Sequence, residues 1–541
     1  MTKEIIAGNP TVTYFADSGD RIFLADGTSL ITNGQDGIRS RAAVLTNVNL
    51  VIDGIIDTSG PSGNTFYGVN MVNSGLARNM IRIGTGGEVQ ADFVAIRTTG
   101  SQTSVLNDGF IRGYNGIELS GGGNLVRNSG TIEYGLTGIG VAFSTTGQMN
   151  TIVNFGTIRH SNDFGLPDIG NFGVNLFTAN ASIVNSGSIE GANGISSSGG
   201  STNIRNGGII DATSIAINFQ SSDNSVNNSG TISTSTGSTA IQFGFGGNQS
   251  LQNSGSISAA GTAVAGNVGN VMNSGDIVGV GTGILNLSGG DFTLTNSGLI
   301  EAGGYGVYVS SFGISNSAII LNNGTISSHL DLERSGFAIL LSAGTGQIVN
   351  NGTLLGDIGL RSVSNTLLNN GVIDGNVTTF SGSLIYKSTD SGFVIGDVNG
   401  SGSNDSFQGG NNVDRFFGNS GNDRLSGGGG NDVLVGGTGY DLLAGGSGAD
   451  MFIFSSARDI SLAGRSDRIT DFQVGIDHID LSAFMSGGAF IGGARFNGIA
   501  GEVRYNATTG QLVGDTDGDR VFDWSMALTN KATLTAADFI F

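Results

Sequence analysis

The sequence predicts an all-β chain: a right-handed parallel β-helix solenoid over residues 1–390, then a different, tighter repeat over residues 391–541. Three observations predict it. Glycine occurs 95 times and proline only three times. A phrase Asn-x-Gly-x-Ile returns every 20 to 25 residues through the later solenoid, from Gly187 to Gly298. From Asp405 onward an aspartate returns every ninth residue.

Composition narrows the class. Collagen needs proline with its glycine, and this chain has almost none. A hydrophobic content of 38% is too high for a disordered polymer of 541 residues. The formal charge of −20 argues against nucleic acid or an anionic membrane as partner, and for a cation. The acids are denser toward the end, with 19 acids against 9 bases in residues 390–541. Cysteine is absent, so rigidity must come from core packing or bound metal. Residues 1–10 contain no apolar segment of the kind a Sec-type leader needs. No apolar run approaches the ~18 residues of a membrane-spanning helix.

The solenoid repeat has three parts. The first is the Asn-x-Gly-x-Ile phrase, as at Asn107–Ile111, Asn128–Ile132, Asn185–Ile189, Asn228–Ile232 and Asn322–Ile326. The second is a small residue followed by alternating apolar positions, as in Gly138–Val141 and Gly306–Val309. The third leads into the next asparagine, as in Ser182–Asn185. Three short strands per two dozen residues is the arithmetic of a parallel β-helix coil, with Ile and Val inside. Glycine is expected at the corners for its positive φ, and stacked asparagines are expected to hydrogen-bond coil to coil. A β-prism or propeller is the alternative, but no blade motif recurs. These runs resemble the passenger repeats of bacterial surface adhesins and autotransporters, which implies a surface location.

In the second repeat, Asp405, Asp414, Asp423, Asp432, Asp441 and Asp450 are each nine apart. The copies starting at Gly427, Gly436 and Gly445 read G-G-x-G-x-D-x-U-x, with U apolar. Glycines allow backbone carbonyls to turn inward, and aspartate adds the hard oxygen that calcium prefers. The candidate calcium ligands are those six aspartates with Gly421, Gly427, Gly428, Gly430, Gly436, Gly437, Gly439, Gly445, Gly446 and Gly448. Ser403 and Asn412 stand where a loop glycine belongs, which makes Asp405 and Asp414 the weaker candidates. The pattern resembles the RTX (hemolysin-type calcium-binding repeat) family. That resemblance implies a parallel β-roll of 18-residue coils with calcium shared between loops one coil apart. It pairs Asp423 with Asp441 and Asp432 with Asp450. The apolar residue two after each aspartate, such as Leu425 or Phe452, fills a thin core.

Asp467–Phe472 and Gly475–Ser482 resemble the segment that closes the roll in secreted RTX enzymes. Asp538–Phe541, an acid before an apolar end, resembles an uncleaved type I secretion signal. Asp515, Asp517, Asp519 and Asp523 form either another calcium loop or a hairpin turn at Asp517–Gly518.

No H-E-x-x-H or G-x-S-x-G motif occurs, and His160, His329 and His478 are isolated. One cluster, Arg159, His160, Asp163 and Asp168, is either a substrate site or a polar loop. The expectation is a secreted calcium-binding RTX protein, extracellular or at the cell surface. It is read as a non-enzymatic adhesin or surface-layer component whose roll folds on calcium outside the cell. The partners implied are calcium, the type I secretion machinery, and cell-surface polysaccharide or a second copy. The alternative is a β-helical polysaccharide lyase or epimerase with an RTX module.

Overall fold

The structure is a computed structural model that describes residues 3–6, 12–32, 34–41, 47–59, 65–72, 78–141, 148–164, 170–236, 239–287, 289–310, 315–328, 336–462 and 465–541. Part of the N-terminal segment read for a leader, together with Asp168 and His329, lies outside the described residues. Among the described residues, regular structure is short β-strand with three single-turn 3-10 segments. No described helix is long and apolar enough to cross a membrane. Two compact units divide at Leu287 and Ser288.

In the first unit each coil begins with a short strand such as Ala181–Asn185 or Asn203–Asn206. A two-residue corner leads to a longer strand, Ser188–Ser197 or Ile209–Phe219. The longer strand bends at a register shift near Gly191–Asn193 and so serves as two of the three expected faces. Further along it splits outright into Ser256–Ala259 and Thr262–Gly266. All coil-to-coil pairings here are parallel, as in Ile183↔Ile204↔Val226.

Alternation decides what is inside. Ile111, Ile132, Ile158, Ile189, Ile210, Ile232, Ile257 and Ile277 stack in register and are fully buried. Each such side chain contributes about 1.5–3 kcal/mol relative to exposure. One residue before each corner, Asn185 Nδ2 donates to Asn206 Oδ1, Asn206 to Asn228, and Asn228 to Asn253, each at 2.8 Å. These asparagines are buried. They satisfy in-core polarity that would otherwise cost about 1–3 kcal/mol per group. The expected coil-to-coil asparagine bonding is thus present.

The expected role of the corner glycines is corrected. Gly187, Gly208, Gly230 and Gly255 do not have positive φ. A Cβ on Gly230 would fall deep inside van der Waals contact of the Gly208 carbonyl oxygen, and the same holds coil after coil. These glycines are there because stacked corners leave no room for a side chain.

The second unit repeats the design, with Asn296, Asn322, Asn350 and Asn369 linked Nδ2 to Oδ1 at 2.9 Å. Asn369 then faces Ser388, where the asparagine column stops. Pairing does not stop: Ile385↔Ser406 and Val377↔Val398 carry both faces into the second repeat. Tyr386 fills that passage, with its ring edge-on to Phe416 at 5.7 Å and Phe407 at 6.3 Å. From there coils are 18 residues long, as Arg424↔Leu442 and Val433↔Met451 show. Two apolar columns form the thin core, Phe407–Leu425–Leu443–Ile469 and Phe416–Leu434–Phe452–Ile479. The C-terminal strands Glu502–Asn506, Gln511–Asp515 and Trp524–Leu528 form a meander, each antiparallel to the next. Trp524–Leu528 then adds to Arg468–Ile469, and Phe539–Ile540 adds to His478–Asp480.

Candidate metal centre

Each nonapeptide turns its aspartate inward at the end of a glycine loop. Asp405, Asp414, Asp423, Asp432, Asp441 and Asp450 are all at most 5% exposed. They form two columns, one along each edge of the roll. In the first, Asp405 N donates to Asp423 Oδ1 at 2.7 Å and Asp423 N to Asp441 Oδ1 at 2.8 Å. In the second, Asp414 N donates to Asp432 Oδ1 at 2.8 Å and Asp432 N to Asp450 Oδ1 at 2.9 Å. The pairs expected one coil apart are thus directly bonded.

In Asp405, Asp423, Asp432, Asp441 and Asp450 the Oδ1 accepts a backbone N–H of the neighbouring coil. Oδ2 of Asp423, Asp432, Asp441, Asp450 and Asp467 is buried without a hydrogen-bond donor. Asp405 and Asp414 differ, since their Oδ2 atoms accept from Ser401 N at 2.8 Å and Gly410 N at 3.2 Å. The copies that depart from the glycine pattern therefore hold their carboxylates internally.

The loop glycines fall into two roles. Gly421, Gly428, Gly430, Gly437, Gly439, Gly446 and Gly448 have φ between +93° and +153°, where a side chain is strained. Gly427, Gly436 and Gly445 do not have positive φ, and a Cβ on each would strike the aspartate Oδ2 of its own loop. Beside Gly427 the Asp432 Oδ2 and the Gly445 carbonyl oxygen converge on one spot, and beside Gly418 so do Asp423 Oδ2 and the Gly436 carbonyl. A carboxylate oxygen from one coil and a carbonyl oxygen from the next meet with no donor between them. A hard, oxygen-seeking cation fits this donor set.

Electrostatics says the same. Burial pushes Asp414 and Asp441 up to about 6, Asp432 to about 7 and Asp423 to about 8. Neighbouring carboxylates add to the last two, Asp441 and Asp405 for Asp423, and Asp414 and Asp450 for Asp432. At neutral pH these groups need either a proton or a counter-ion.

Sequence reasoning left two residues out. Asp441 N donates to Asp467 Oδ1 at 2.8 Å and Asp450 N to Asp477 Oδ1 at 3.1 Å, extending both columns. Burial first, then Asp441, Asp459 and Asp423, raise Asp467 to about 9. The nine-residue phase hid them, because these links span 26 and 27 residues. The signal was Asp-x-Ile, in Asp467-Arg-Ile469 and Asp477-His-Ile479, which repeats the Asp-x-apolar unit of the loops.

Elsewhere the chemistry is quieter. Asp515, Asp517 and Asp523 bring carboxylate oxygens within 4.8 Å of one another. Both Asp515 oxygens already accept backbone N–H groups, from Gly518 at 2.7 Å and Arg520 at 2.8 Å, which is a hairpin-turn arrangement. Asp519 accepts from Val521 N and is not part of the cluster. In the solenoid, Arg159 pairs with Glu133, and Asp163 pairs with Arg112 at 2.6 Å. The Arg159–Asp163 cluster is therefore an ion-pair network across coils, with the His160 ring edge-on to Tyr134.

Residues 388–541 match the family described as Peptidase M10 serralysin C terminal. Among solved structures, the chain is similar to the AlgE6R3 and AlgE6R2 subunits of the Azotobacter vinelandii mannuronan C5-epimerase, at 32% and 27% identity. These cover 26% and 27% of this chain and 78% and 92% of those chains, each with a TM-score of 0.21. No curated protein matches. The stacked aspartate loops and the family match agree, and the C-terminal part of this all-β chain is a serralysin-type RTX β-roll domain.

Proposed function

We propose that the roll, over residues 391–541, binds calcium through Asp423, Asp432, Asp441, Asp450 and Asp467, and that its folding depends on that binding. The single observation that carries this is the row of buried Oδ2 atoms without donors, those of Asp423, Asp432, Asp441 and Asp450 each beside a glycine loop. Gly421, Gly428, Gly430, Gly437, Gly439, Gly446 and Gly448 shape the loops, and Gly427, Gly436 and Gly445 leave the carboxylates room. Asp405 and Asp414 contribute less, because backbone N–H groups already occupy them. Calcium supplies the charge that lets these carboxylates stay ionised in the fold.

In a compartment poor in calcium the facing aspartates repel and the roll stays open. At the ~10⁻⁴–10⁻³ M typical of extracellular calcium modules it orders. On this reading the protein works outside the cell, exported by a type I route, as a non-enzymatic surface or matrix component. The solenoid over residues 1–390 provides the presenting surface. The pairing of Arg159 and Asp163 with partners in other coils favours a structural over a catalytic use of that cluster. Calcium titration of the chelator-treated chain, followed by circular dichroism and calorimetry, tests the first claim. A β-signal that does not change up to millimolar calcium, with no heat of binding, overturns it.

A further inference from the structure

We propose that the solenoid carries a binding groove for a neutral glycan, centred on Gly140. Positions on one face form a column across successive coils: Asn70, Arg97, Glu118, Gly140, Asn175 and Ser196 stand in register, with the two end members buried and the four between them at the surface. Of the four surface members, Arg97, Glu118 and Asn175 offer hydrogen-bonding side chains. Where Gly140 offers none, a cavity of about 370 Å³ opens. Its walls include Arg97, Asn115, Glu118, Asn175 and Phe177.

The lining is arranged for hydroxyl groups. Asn115 donates to Glu118 Oε1 at 2.7 Å, which fixes that carboxylate. Arg97 donates to the Tyr67 hydroxyl at 3.0 Å, lies over the Tyr67 ring at 5.2 Å, and has Nε 4.0 Å from Glu118. Phe177 is 44% exposed beside these groups and offers a flat apolar surface. A fixed donor–acceptor pair next to an exposed ring suits a sugar, which presents hydroxyls at its edge and C–H bonds on its face. Coils repeat at ~4.8 Å, comparable to the length of one pyranose unit, so an extended glycan can meet the column in step.

Charge selects the class. Arg97 and Glu118 offset each other, and the chain as a whole carries −20, which repels polyanions. The groove is therefore assigned to neutral hexose polymers rather than uronates. The site shares no residue with the roll, so failure of calcium binding there would leave this assignment standing.

The test uses the full calcium-loaded chain and isothermal titration with cellohexaose, mannohexaose, maltohexaose and hexagalacturonate. Gly140→Leu fills the cavity. A Cβ there meets nothing closer than Thr137 Cγ2 at 3.5 Å, so the side chain leaves the backbone without a clash, and a thermal melt of the variant checks that the fold is kept. Phe177→Ala removes the ring from an exposed position. The expected result is binding of at least one neutral hexasaccharide, weakened roughly tenfold or more by Gly140→Leu and in the same direction by Phe177→Ala, with melting unchanged. No binding of any neutral probe at millimolar concentration overturns the proposal. So does wild-type affinity in Gly140→Leu, or stronger binding of hexagalacturonate than of all three neutral probes.

Discussion

Replacing Asp432 by asparagine should reverse its effect on stability according to whether calcium is present. The shape of the side chain is kept, and the bond from Asp414 N to Oδ1 at 2.8 Å survives with the amide oxygen. The new amide N–H is on the side of the Gly445 carbonyl, the acceptor expected for it. What disappears is a buried charge. Burial raises Asp432 from 3.8 to about 7, with Asp414 and Asp450 adding to it. A carboxylate with a raised folded value costs nothing below pH 4, costs progressively more as pH rises, and costs its full amount above about pH 7. Three units at 1.36 kcal/mol each give a ceiling of about 4 kcal/mol, and solvent screening at the roll's edge reduces this to about 1–2 kcal/mol. Without calcium at pH 8, the Asp432→Asn chain should therefore be more stable than wild type by that amount. With calcium it should be less stable, and its calcium midpoint should rise about tenfold or more, since a charged ligand is lost. Circular dichroism of both chains in chelator at pH 8 shows which folds more readily, urea melts in millimolar calcium read the second difference, and a calcium titration reads the midpoint. If asparagine destabilises the chelated protein at pH 8, the buried-charge account is wrong.

The same linkage predicts that the chelated roll gains β-structure on acidification from pH 8 to pH 5, because the raised carboxylates take up protons on folding; a loss of circular-dichroism signal over that range would contradict it. In the solenoid, Gly230→Ala should cost about 1–3 kcal/mol through collision with the Gly208 carbonyl, whereas Gly247→Ala, with open space around it, should cost little; thermal melts compare the two. Asn228→Ala leaves Asn253 Oδ1 without its donor, while Asn206 Nδ2 keeps the Gly208 and Thr231 carbonyls, and should cost about 1–3 kcal/mol in a denaturant melt. Arg159→Ala should change stability by less than about 1 kcal/mol, as expected of an exposed ion pair with Glu133.

Periodic features were legible in the sequence because each is enforced once per coil. The Ile column, the asparagine column and the Asp ladder all follow from spacing alone, and the structure places them in register. The reason for the corner glycines was not legible. Sequence shows that glycine is required at Gly230 but not whether φ or crowding requires it, and only the Gly208 oxygen decides. Asp467 and Asp477 were missed because inserted residues break the phase while the column continues in space. The pairing of Arg112 with Asp163 joins residues 51 apart, a link that no local motif announces. Asp515 read equally as ligand or turn, and its two backbone bonds favour the turn.

The way the roll is closed bears on whether its end can pair with another molecule. A parallel stack ends in a coil whose outer N–H and C=O groups face nothing, a template for another molecule. Here Trp524–Leu528 covers Arg468–Ile469, and Phe539–Ile540 covers His478–Asp480, so both columns of the final coil have a lid drawn from the same chain. Proteolytic loss of residues 520–541 would strip both lids at once. The exposed ends would then recruit one another into fibres, and solubility rather than metal affinity would be the first property to fail.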